Sequence, residues 1–471
     1  MKFAISRTAG ILFALAAVAN AQSSDQPSPT DFKFSFGSSS HDAGVTAVAA
    51  DTVYTPDRGY GFEPYTMIPA PGVAIPTSNP SPILLTTDNV ITSNKNFFFS
   101  VKLPEGNYRV TLTLGDKSSE STTTVKAEAR RLMLERIHLA AGQFATRTFT
   151  VNIRTGAIEG GGSVKLDPRE IGSLTWDDKL TLQFTDAHPA VAAMEIHKVT
   201  DAVTVFLCSD STVTDQPREP YGTWGMMLPR WFDDHVAIAN YGESGLTVKG
   251  FTLERRWQKV MSVVKPGDYV FMQFGHNDLN KKGHNGIWPA PDGDWAQTYS
   301  EPHTDYKKYL EQYAAEVKSH GAIPVIVTPM TKITFGTGEI NAAGLGDYPK
   351  CAAEAATEAG VAMIDLNAMS VALDTALGTT LDRRVYVEGL HQTSYGGYLF
   401  ARCILEGIRQ NKLALAADIL PEAGTFDPAH PDMQPDDFKL PLEARVGGGF
   451  GGFGRRGGGT TRPATVPARG G

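Results

Sequence analysis

Three side chains in this 471-residue sequence could together turn a hydroxyl group into a nucleophile. Ser211 supplies the hydroxyl, and His391 is the candidate base that would take its proton. Glu388 precedes His391 by three residues, so a local turn could bring its carboxylate to the imidazole. An acidic partner holds such a histidine in the donor tautomer and stabilises the imidazolium. These residue types predict acyl transfer through a covalent serine intermediate.

Two further blocks of polar residues and glycines follow predicted strands, at 240–245 (NYGESG) and 275–278 (GHND). Each block alone is weak evidence. A serine can be a helix N-cap, a histidine can be structural, and a glycine or an asparagine can serve only a turn. Four blocks in this order, each at a strand end or before the last helix, indicate one shared site.

The four blocks resemble those of the SGNH (GDSL-type) hydrolases, and within them the rhamnogalacturonan acetylesterases. The resemblance covers roughly 201–412 and includes Trp224-Gly225 and the stretch 393–397 (TSYGG). The stretch 51–63 (DTVYTPDRGYGFE) resembles a module that precedes the catalytic domain in some bacterial members. The sequence departs from the family pattern at two positions, with Ser209 where glycine is usual and Glu388 where aspartate is usual. Asp382 is therefore kept as an alternative partner of His391.

The resemblance also implies an oxyanion hole. Its donors would be the backbone N–H groups of Ser211 and Gly245 and the side-chain amide of Asn277, and the spacing from Asn240 favours Gly245 over Gly242. We expect Asn240 and His276 to position their loops rather than to act on substrate.

An insert at 280–302 should overhang this site, since it follows the third block. Trp288 and Trp295 within it are candidate contacts for sugar rings; the alternative is that they only pin a long loop to the body. His284 and His303 show no recognisable metal-ligand spacing, so the sequence predicts no catalytic metal and no cofactor.

The elements that must position these residues differ between the two halves of the chain. Residues 32–200 read as short strands with period-two alternation, clearest in 108–114, and predict an antiparallel β-sandwich, which the family resemblance implies is of the galactose-binding-like type. Residues 201–444 alternate apolar strands with helical stretches, which predicts a parallel sheet buried on both faces; the resemblance implies a three-layer, flavodoxin-like domain. Active sites in such sheets lie beyond the carboxyl ends of the strands, where the first three blocks fall.

The two ends of the chain are predicted to lie outside the folded body. Residues 1–21 read as an export signal, with Lys2 and Arg7 before an apolar run and a cleavage site near Ala21; a short membrane anchor is the alternative. Residues 22–31 form a flexible lead-in. The Gly/Arg-rich residues 445–471 are predicted to be disordered, with weak adhesion to anionic polymers as a second possibility.

Charge and cysteine content exclude several classes of protein. The net charge is −8, and the two ends contribute two and five positive charges without any acid, so the body between them carries −15. A surface this acidic is a poor match for nucleic acid. Three cysteines cannot form a disulfide framework, and no later segment has the apolar length of a membrane span.

The sequence therefore predicts an exported carbohydrate esterase that removes acetyl groups from a plant cell-wall polysaccharide, with rhamnogalacturonan in pectin as the preferred substrate. One alternative keeps the fold but changes the substrate to acetylated xylan, another acylated glycan or a lipid ester. Another is a carbohydrate-binding protein with a decayed catalytic domain, for which Ser209 and Glu388 are the only support. The sequence leaves the oligomeric state open.

Overall fold

The computed structural model describes residues 30–37, 42–66, 68, 82–87, 89–281, 295–334, 337–379 and 382–441. The predicted export signal, most of the lead-in and the Gly/Arg-rich tail lie outside these ranges. No helix within them is long and apolar enough to cross a bilayer.

The N-terminal half is built from two β-sheets packed face to face. One sheet has the strand order β10-β7-β12-β1-β2, with β5 added beside β12 and β4 beside β5, and the other has the order β3-β6-β11-β8-β9. The β1–β2 pair is parallel, so the sandwich is not wholly antiparallel as predicted. The strands are β1 Asp31–Phe36, β2 Thr46–Val48, β3 Tyr60–Phe62, β4 Leu85–Thr87, β5 Val90–Thr92, β6 Phe97–Lys102, β7 Gly106–Leu114, β8 Ser121–Ala127, β9 Arg131–Leu139, β10 Ala145–Ile153, β11 Lys179–Thr185 and β12 Ala190–Val199.

Aromatic side chains fill the space between these two sheets. Phe36 on β1 and Phe62 on β3 both lie against Phe99 on β6, with ring centroids 5.1 Å apart in each case and steep interplanar angles. Edge-to-face pairs of this kind contribute stability beyond the area that they bury. Alternate residues of each strand point into this core, which is why the period-two pattern was visible in the sequence.

The C-terminal half is an α/β structure around a five-stranded parallel sheet with the order β14-β13-β15-β16-β19. A separate two-stranded ribbon is formed by β17 and β18. The strands are β13 Val203–Ser209, β14 Val236–Asn240, β15 Tyr269–Gln273, β16 Ile323–Val327, β17 Ile333–Thr334, β18 Glu339–Ile340 and β19 Ala362–Ile364. The helices are α1 Trp224–Met227, α2 Val248–Leu253, α3 Arg256–Val263, α4 Lys307–Ser319, α5 Tyr348–Ala359, α6 Leu366–Leu377, α7 Asp382–Val385 and α8 Ser394–Gln410.

The parallel sheet carries a hydrophobic core on each of its two faces. Val205 and Leu207 of β13 belong to a core shared with α1, α6 and α8, whereas Phe206 and Cys208 belong to a core shared with α2 to α5. Both faces of every central strand are therefore buried, which explains the continuous apolar runs in the sequence.

Helix α8 follows the histidine block and packs against α1 through glycine. A Cβ atom added at Gly397 would lie 2.7 Å from the carbonyl carbon and oxygen of Thr223, the residue that caps α1. The two backbones can approach this closely only because position 397 has no side chain.

We expect Gly397→Ala to lower the free energy of unfolding by about 1–3 kcal/mol, because the added methyl group overpacks a backbone contact. The same change in an open helix would raise stability by about 1 kcal/mol. Urea denaturation measures the difference, with Gln410→Ala at the exposed end of α8 as the control. A stabilised Gly397→Ala protein would show that the two helices do not require the glycine.

Candidate active site

Ser211, His391 and Glu388 form a continuous hydrogen-bonded chain. Ser211 Oγ lies 2.7 Å from His391 Nε2, although the two residues are 180 positions apart in the sequence. The other ring nitrogen, Nδ1, is hydrogen-bonded to Glu388 Oε1, which also accepts from the His391 backbone N–H at 3.2 Å. The arrangement can remove a proton from the serine hydroxyl and hold it on the imidazole.

A tight turn before α8 fixes the histidine. The Val387 N–H donates to the His391 carbonyl at 2.8 Å, and Thr393 caps α8 by accepting from the Gly396 N–H at 3.2 Å. The Tyr221 ring meets the imidazole edge to face, with the centroids 6.0 Å apart. The position of the imidazole is therefore restrained by the turn and by its contact with the Tyr221 ring.

The residues after Ser211 do not enter a helix directly. They form turns in which the Val213 and Thr214 N–H groups both donate to the Asp210 carbonyl at 3.1 Å, and the first helix begins only at Trp224. Pro217 and Pro220 lie between these points, and proline and the residue before it disfavour helix. The backbone N–H groups that directly follow Ser211 in the sequence therefore belong to turns and not to the first turn of a helix.

Asp210 and His276 are an unexpected part of the support for the serine. Asp210 Oδ1 accepts from the Thr212 N–H at 2.9 Å, and Oδ2 lies 3.1 Å from His276 Nδ1. His276 Nε2 in turn lies 2.9 Å from the Met330 carbonyl. Burial alone would raise the pKa of Asp210, but the neighbouring His276 and the hydrogen bonds from Thr212 outweigh it and leave the pKa below its usual value. This buried pair ties the serine turn to the third block.

The second block is tied to the serine turn by Asn240. Its Nδ2 donates to the Val213 carbonyl at 2.6 Å and to Asp215 Oδ1 at 3.0 Å, while its Oδ1 accepts from the Gly242 N–H at 3.2 Å. These contacts support the expectation that Asn240 positions loops. The positioning role foreseen for His276 has similar support in its two hydrogen bonds.

The proposed oxyanion donors come from neighbouring loops. Gly245 has φ +87°, in the region that favours glycine, so its place in the loop depends on the absence of a Cβ atom. Asn277 Nδ2 donates to the carbonyl of Leu246, the residue after Gly245, at 3.0 Å. The side chain of the third block is thereby joined to the second block beside the predicted donor.

Asp278 makes a second connection between these two blocks. Its Oδ1 accepts from the Val248 N–H at the start of α2, and its Oδ2 accepts from the Gly275 N–H, both at 2.9 Å. The carboxyl is fully buried, and burial raises its pKa to about 7 despite these hydrogen bonds, which favour the ionised form.

The N-terminal sandwich also contributes to this region. Arg169, between β10 and β11, donates through Nε to Glu243 Oε1 at 2.7 Å and through a terminal nitrogen to the Ser244 carbonyl at 2.5 Å. Arg130, between β8 and β9, donates to the Tyr221 carbonyl at 2.9 Å. Neither arginine was a predicted site residue. Both lie outside the four blocks, and their basic character alone does not distinguish them from surface arginines.

The side chains of three candidate residues lie outside the part of the chain that the structure describes. Trp288 lies outside the described residues, as do the side chains of Trp295 and Asp382, although the backbone of Asp382 begins α7. Within the described ranges, two groups place possible metal ligands within 4.8 Å of one another: His303 with Cys351 and Glu354, and the run 233–235. Neither group includes a residue of the Ser211–His391–Glu388 chain.

Comparison with known proteins agrees with this architecture in both halves. The model of the GDSL-like lipase/acylhydrolase family matches residues 209–396, which include Ser211 and His391. The model of the beta-agarase/YXIM esterase-like, galactose-binding-like domain matches residues 32–159.

Two proteins of Bacillus subtilis (strain 168) are similar to the chain. The probable rhamnogalacturonan acetylesterase YesY is 32% identical over 231 residues, 46% of this chain and 98% of YesY. The uncharacterized esterase YxiM is 26% identical over 400 residues, 82% of this chain and 92% of YxiM. A crystal structure of the YXIM protein from the same species has 23% identity and a TM-score of 0.42, and the match covers 82% of this chain and 99% of that one.

A parallel sheet with a serine hydroxyl hydrogen-bonded to a histidine beyond its carboxyl ends, in a chain related to esterases over most of its length, defines a carboxylic ester hydrolase. The chain belongs to the GDSL-like lipase/acylhydrolase family and carries a galactose-binding-like domain before the hydrolase domain. The family resemblance inferred from the four blocks is confirmed.

The buried Asp278 carboxyl makes the stability of the protein depend on pH in a defined direction. Its pKa is raised in the folded protein to about 7, above the ordinary 3.8. The stability that the protonated group contributes is therefore fully present below about pH 4 and is lost as the pH rises through 7. We expect the difference in unfolding free energy between wild type and Asp278→Asn to change by roughly 2–4 kcal/mol over this window, to the disadvantage of wild type. Urea denaturation at pH 4.5, 5.5, 6.5 and 7.5 measures the unfolding free energy of both proteins. A difference between them that stays constant over these pH values would contradict the raised pKa of Asp278.

Proposed function

We propose that the protein is an exported carbohydrate esterase that removes acetyl groups from rhamnogalacturonan through a serine acyl-enzyme. The observation that carries the catalytic part is the 2.7 Å contact between Ser211 Oγ and His391 Nε2, with Glu388 on the opposite ring nitrogen. The polysaccharide is proposed because YesY is named a probable rhamnogalacturonan acetylesterase. We propose also that residues 32–200 and 201–444 are the two domains, the second in the family's three-layer arrangement.

In the first half of the proposed reaction, Ser211 Oγ attacks the acetyl carbonyl carbon while its proton moves to His391 Nε2. The negative charge on the former carbonyl oxygen is stabilised by the N–H groups of Ser211 and Gly245 and by the Asn277 amide. Collapse of this intermediate breaks the bond to the sugar oxygen, which takes the proton from His391 and leaves as a hydroxyl. The product is the acetyl ester of Ser211.

In the second half, a water molecule replaces the sugar. His391 takes one proton from the water as its oxygen attacks the acetyl-enzyme, and returns it to Ser211 Oγ when acetate leaves. Glu388 stabilises the imidazolium formed in each half, since its carboxylate is bound to Nδ1. Its side chain is 47% exposed, so the ion pair requires no deep burial of charge.

Export is part of the proposal because a cell-wall polysaccharide is too large to reach an enzyme inside a cell. The pattern at the start of the sequence supports it, with Lys2 and Arg7 before an apolar run and small residues at 19–21.

We expect the purified protein to release acetate from acetylated rhamnogalacturonan, and Ser211→Ala to lower the rate at least about a thousandfold without loss of fold. Enzymatic measurement of acetate gives the rate, and circular dichroism checks the fold. Ser319→Ala, an exposed serine at the end of α4, is the matched control.

The substrate part is tested by running acetylated xylan and a short-chain lipid ester beside rhamnogalacturonan. A higher kcat/KM on either of them would reject the pectic substrate but leave the esterase intact. Full activity of Ser211→Ala would reject the serine mechanism itself.

We expect Glu388→Gln to lower kcat by about 10²–10⁴ with little change in KM, because the amide can donate to the imidazole and favour the wrong tautomer. Asp382→Asn should leave kcat within about twofold of wild type, since Glu388 already holds Nδ1. Initial rates on a soluble acetyl ester give both constants. A large loss in Asp382→Asn with an active Glu388→Gln would assign the acidic partner to Asp382.

A further inference from the structure

A cavity of about 490 Å³ lies between the sandwich and the hydrolase half, away from Ser211. It is bounded by the start of β7, the end of β12, the start of β13 and helix α3. Thr204 lines it at the amino end of β13, whereas the serine follows the carboxyl end of the same strand. Five residues of extended chain, roughly 16 Å, separate Thr204 from Ser209. Tyr241 of the second block forms part of the lining, but Ser211, His391, Gly245 and Asn277 do not, so the cavity is separate from the groups proposed to act on the ester. Its volume is in the range of small-molecule sites.

The ionisable residues that line this cavity carry more positive than negative charge, although the protein as a whole is acidic. Three lysines, Lys198, Lys259 and Lys265, stand against Glu105 and Glu159. The Lys259 ammonium lies 2.6 and 2.9 Å from the two Glu105 carboxylate oxygens, so these two charges cancel.

The other two lysines are bonded to neutral groups. Lys198 Nζ donates to the Glu105 carbonyl at 3.0 Å, and Lys265 Nζ donates to the Thr200 carbonyl at 3.2 Å. Both side chains are exposed, and each ammonium has three donors. Each can therefore receive an anionic group while it keeps the bond described. The opposing charges are Glu159 in the lining and Asp268, whose Oδ2 accepts from the Lys265 backbone N–H at 2.8 Å.

A relay of buried polar side chains forms part of the cavity lining. Asn152 Nδ2 donates to Asn107 Oδ1 at 2.8 Å, and Asn107 Nδ2 donates to Thr204 Oγ1 at 2.9 Å. This relay uses the donor end of Asn152 and leaves its Oδ1 without a hydrogen-bond donor among the described residues, although the residue is only 8% exposed. Because this oxygen has almost no accessible surface, the relay supports the cavity wall and is not itself a contact for a ligand.

We propose that this cavity binds an acidic sugar, one or two uronate residues of a polysaccharide, as a second site distinct from the ester-cleaving site. Lys198 and Lys265 receive the carboxylate, and Phe206, Tyr241 and Val263 give the lining its apolar part. The choice of a uronate among anionic ligands rests on the proposed function, since rhamnogalacturonan is a polymer of uronate and neutral sugar. The site would hold an acidic chain on the enzyme between successive deacetylations.

Isothermal titration of the full chain with digalacturonate, which carries no acetyl group, tests the proposal. We expect binding that weakens at high salt, and at least a tenfold rise in Kd for Lys198→Gln/Lys265→Gln. Lys308→Gln/Lys350→Gln, two exposed lysines on α4 and α5, makes the same change of charge and should leave Kd within twofold. Hydrolysis of a small acetyl ester should be unchanged in both double variants.

Three results would overturn the proposal: no binding of digalacturonate, equal binding to Lys198→Gln/Lys265→Gln, or equal affinity for neutral digalactose. Each is distinguishable from failure of the proposed function, because that function is measured as acetate release and the ligand used here releases none.

Discussion

A row of buried arginines joins the N-terminal sandwich to the half of the chain that carries Ser211. Arg130, Arg131 and Arg154 have side chains only 1–3% exposed, and they face Glu219 and Asp215, whose side chains are 4% and 1% exposed. Removing one member of such a pair leaves an uncompensated buried charge, which costs about 3–5 kcal/mol. Burial raises the pKa of Asp215, and the two arginines beside it act in the opposite direction. In these pairs the sandwich supplies the cation and the hydrolase half the anion, so the two halves are stable in contact and costly to separate.

Arg130, one of these arginines, also donates hydrogen bonds to segments on both sides of the candidate active site. Arg130 donates to the Gln216 carbonyl at 3.1 Å and the Tyr221 carbonyl at 2.9 Å, in the loop that follows the serine turn. It also donates to Ser394 Oγ at 3.3 Å, at the start of α8 and three residues after the histidine. One guanidinium from the sandwich therefore restrains the segments on which the hydroxyl and the imidazole lie. The distance between these two groups depends on a domain that contains neither of them.

Contacts that are local in the chain were the predictable part of this site. The bond between Glu388 and His391 spans three residues, so the sequence favoured this pair, with Asp382 kept as the alternative partner. The strand ends that carry Ser211 and Asn277 were visible because buried parallel strands are continuously apolar. The burial of β8 could not be predicted in this way. β8 reads STTTVKA, a polar sequence, yet every one of its residues is buried.

The reason for the β8 burial is not local. The Thr124 hydroxyl donates to Asp186 at 3.1 Å, and Thr123 Oγ1 accepts from the Ala190 N–H at 3.0 Å, so partners distant in sequence satisfy the polar groups. The β8–β9 turn contains Glu128 and Arg130 with positive φ, which in isolation is typical of an exposed turn. It is buried because the hydrolase half brings the carbonyls of Gln216 and Tyr221 and the carboxylate of Glu219 to Arg130. These partners are more than 80 residues away in the sequence, so the local sequence around the turn does not reveal them.

The interface between the two halves is closed at one end and open at the other, and charge explains the difference. Near the serine loop, each buried arginine finds a carboxylate or a carbonyl, and the surfaces meet closely. Near the amino end of β13, the ammonium groups of Lys198 and Lys265 donate to carbonyls, and a cavity remains. Such lysines would add nothing to a surface whose only role was to hold the two halves together, since apolar residues would pack the gap at lower cost. The sandwich thus acts as a structural support near the serine loop and as one wall of a polar cavity near the amino end of β13.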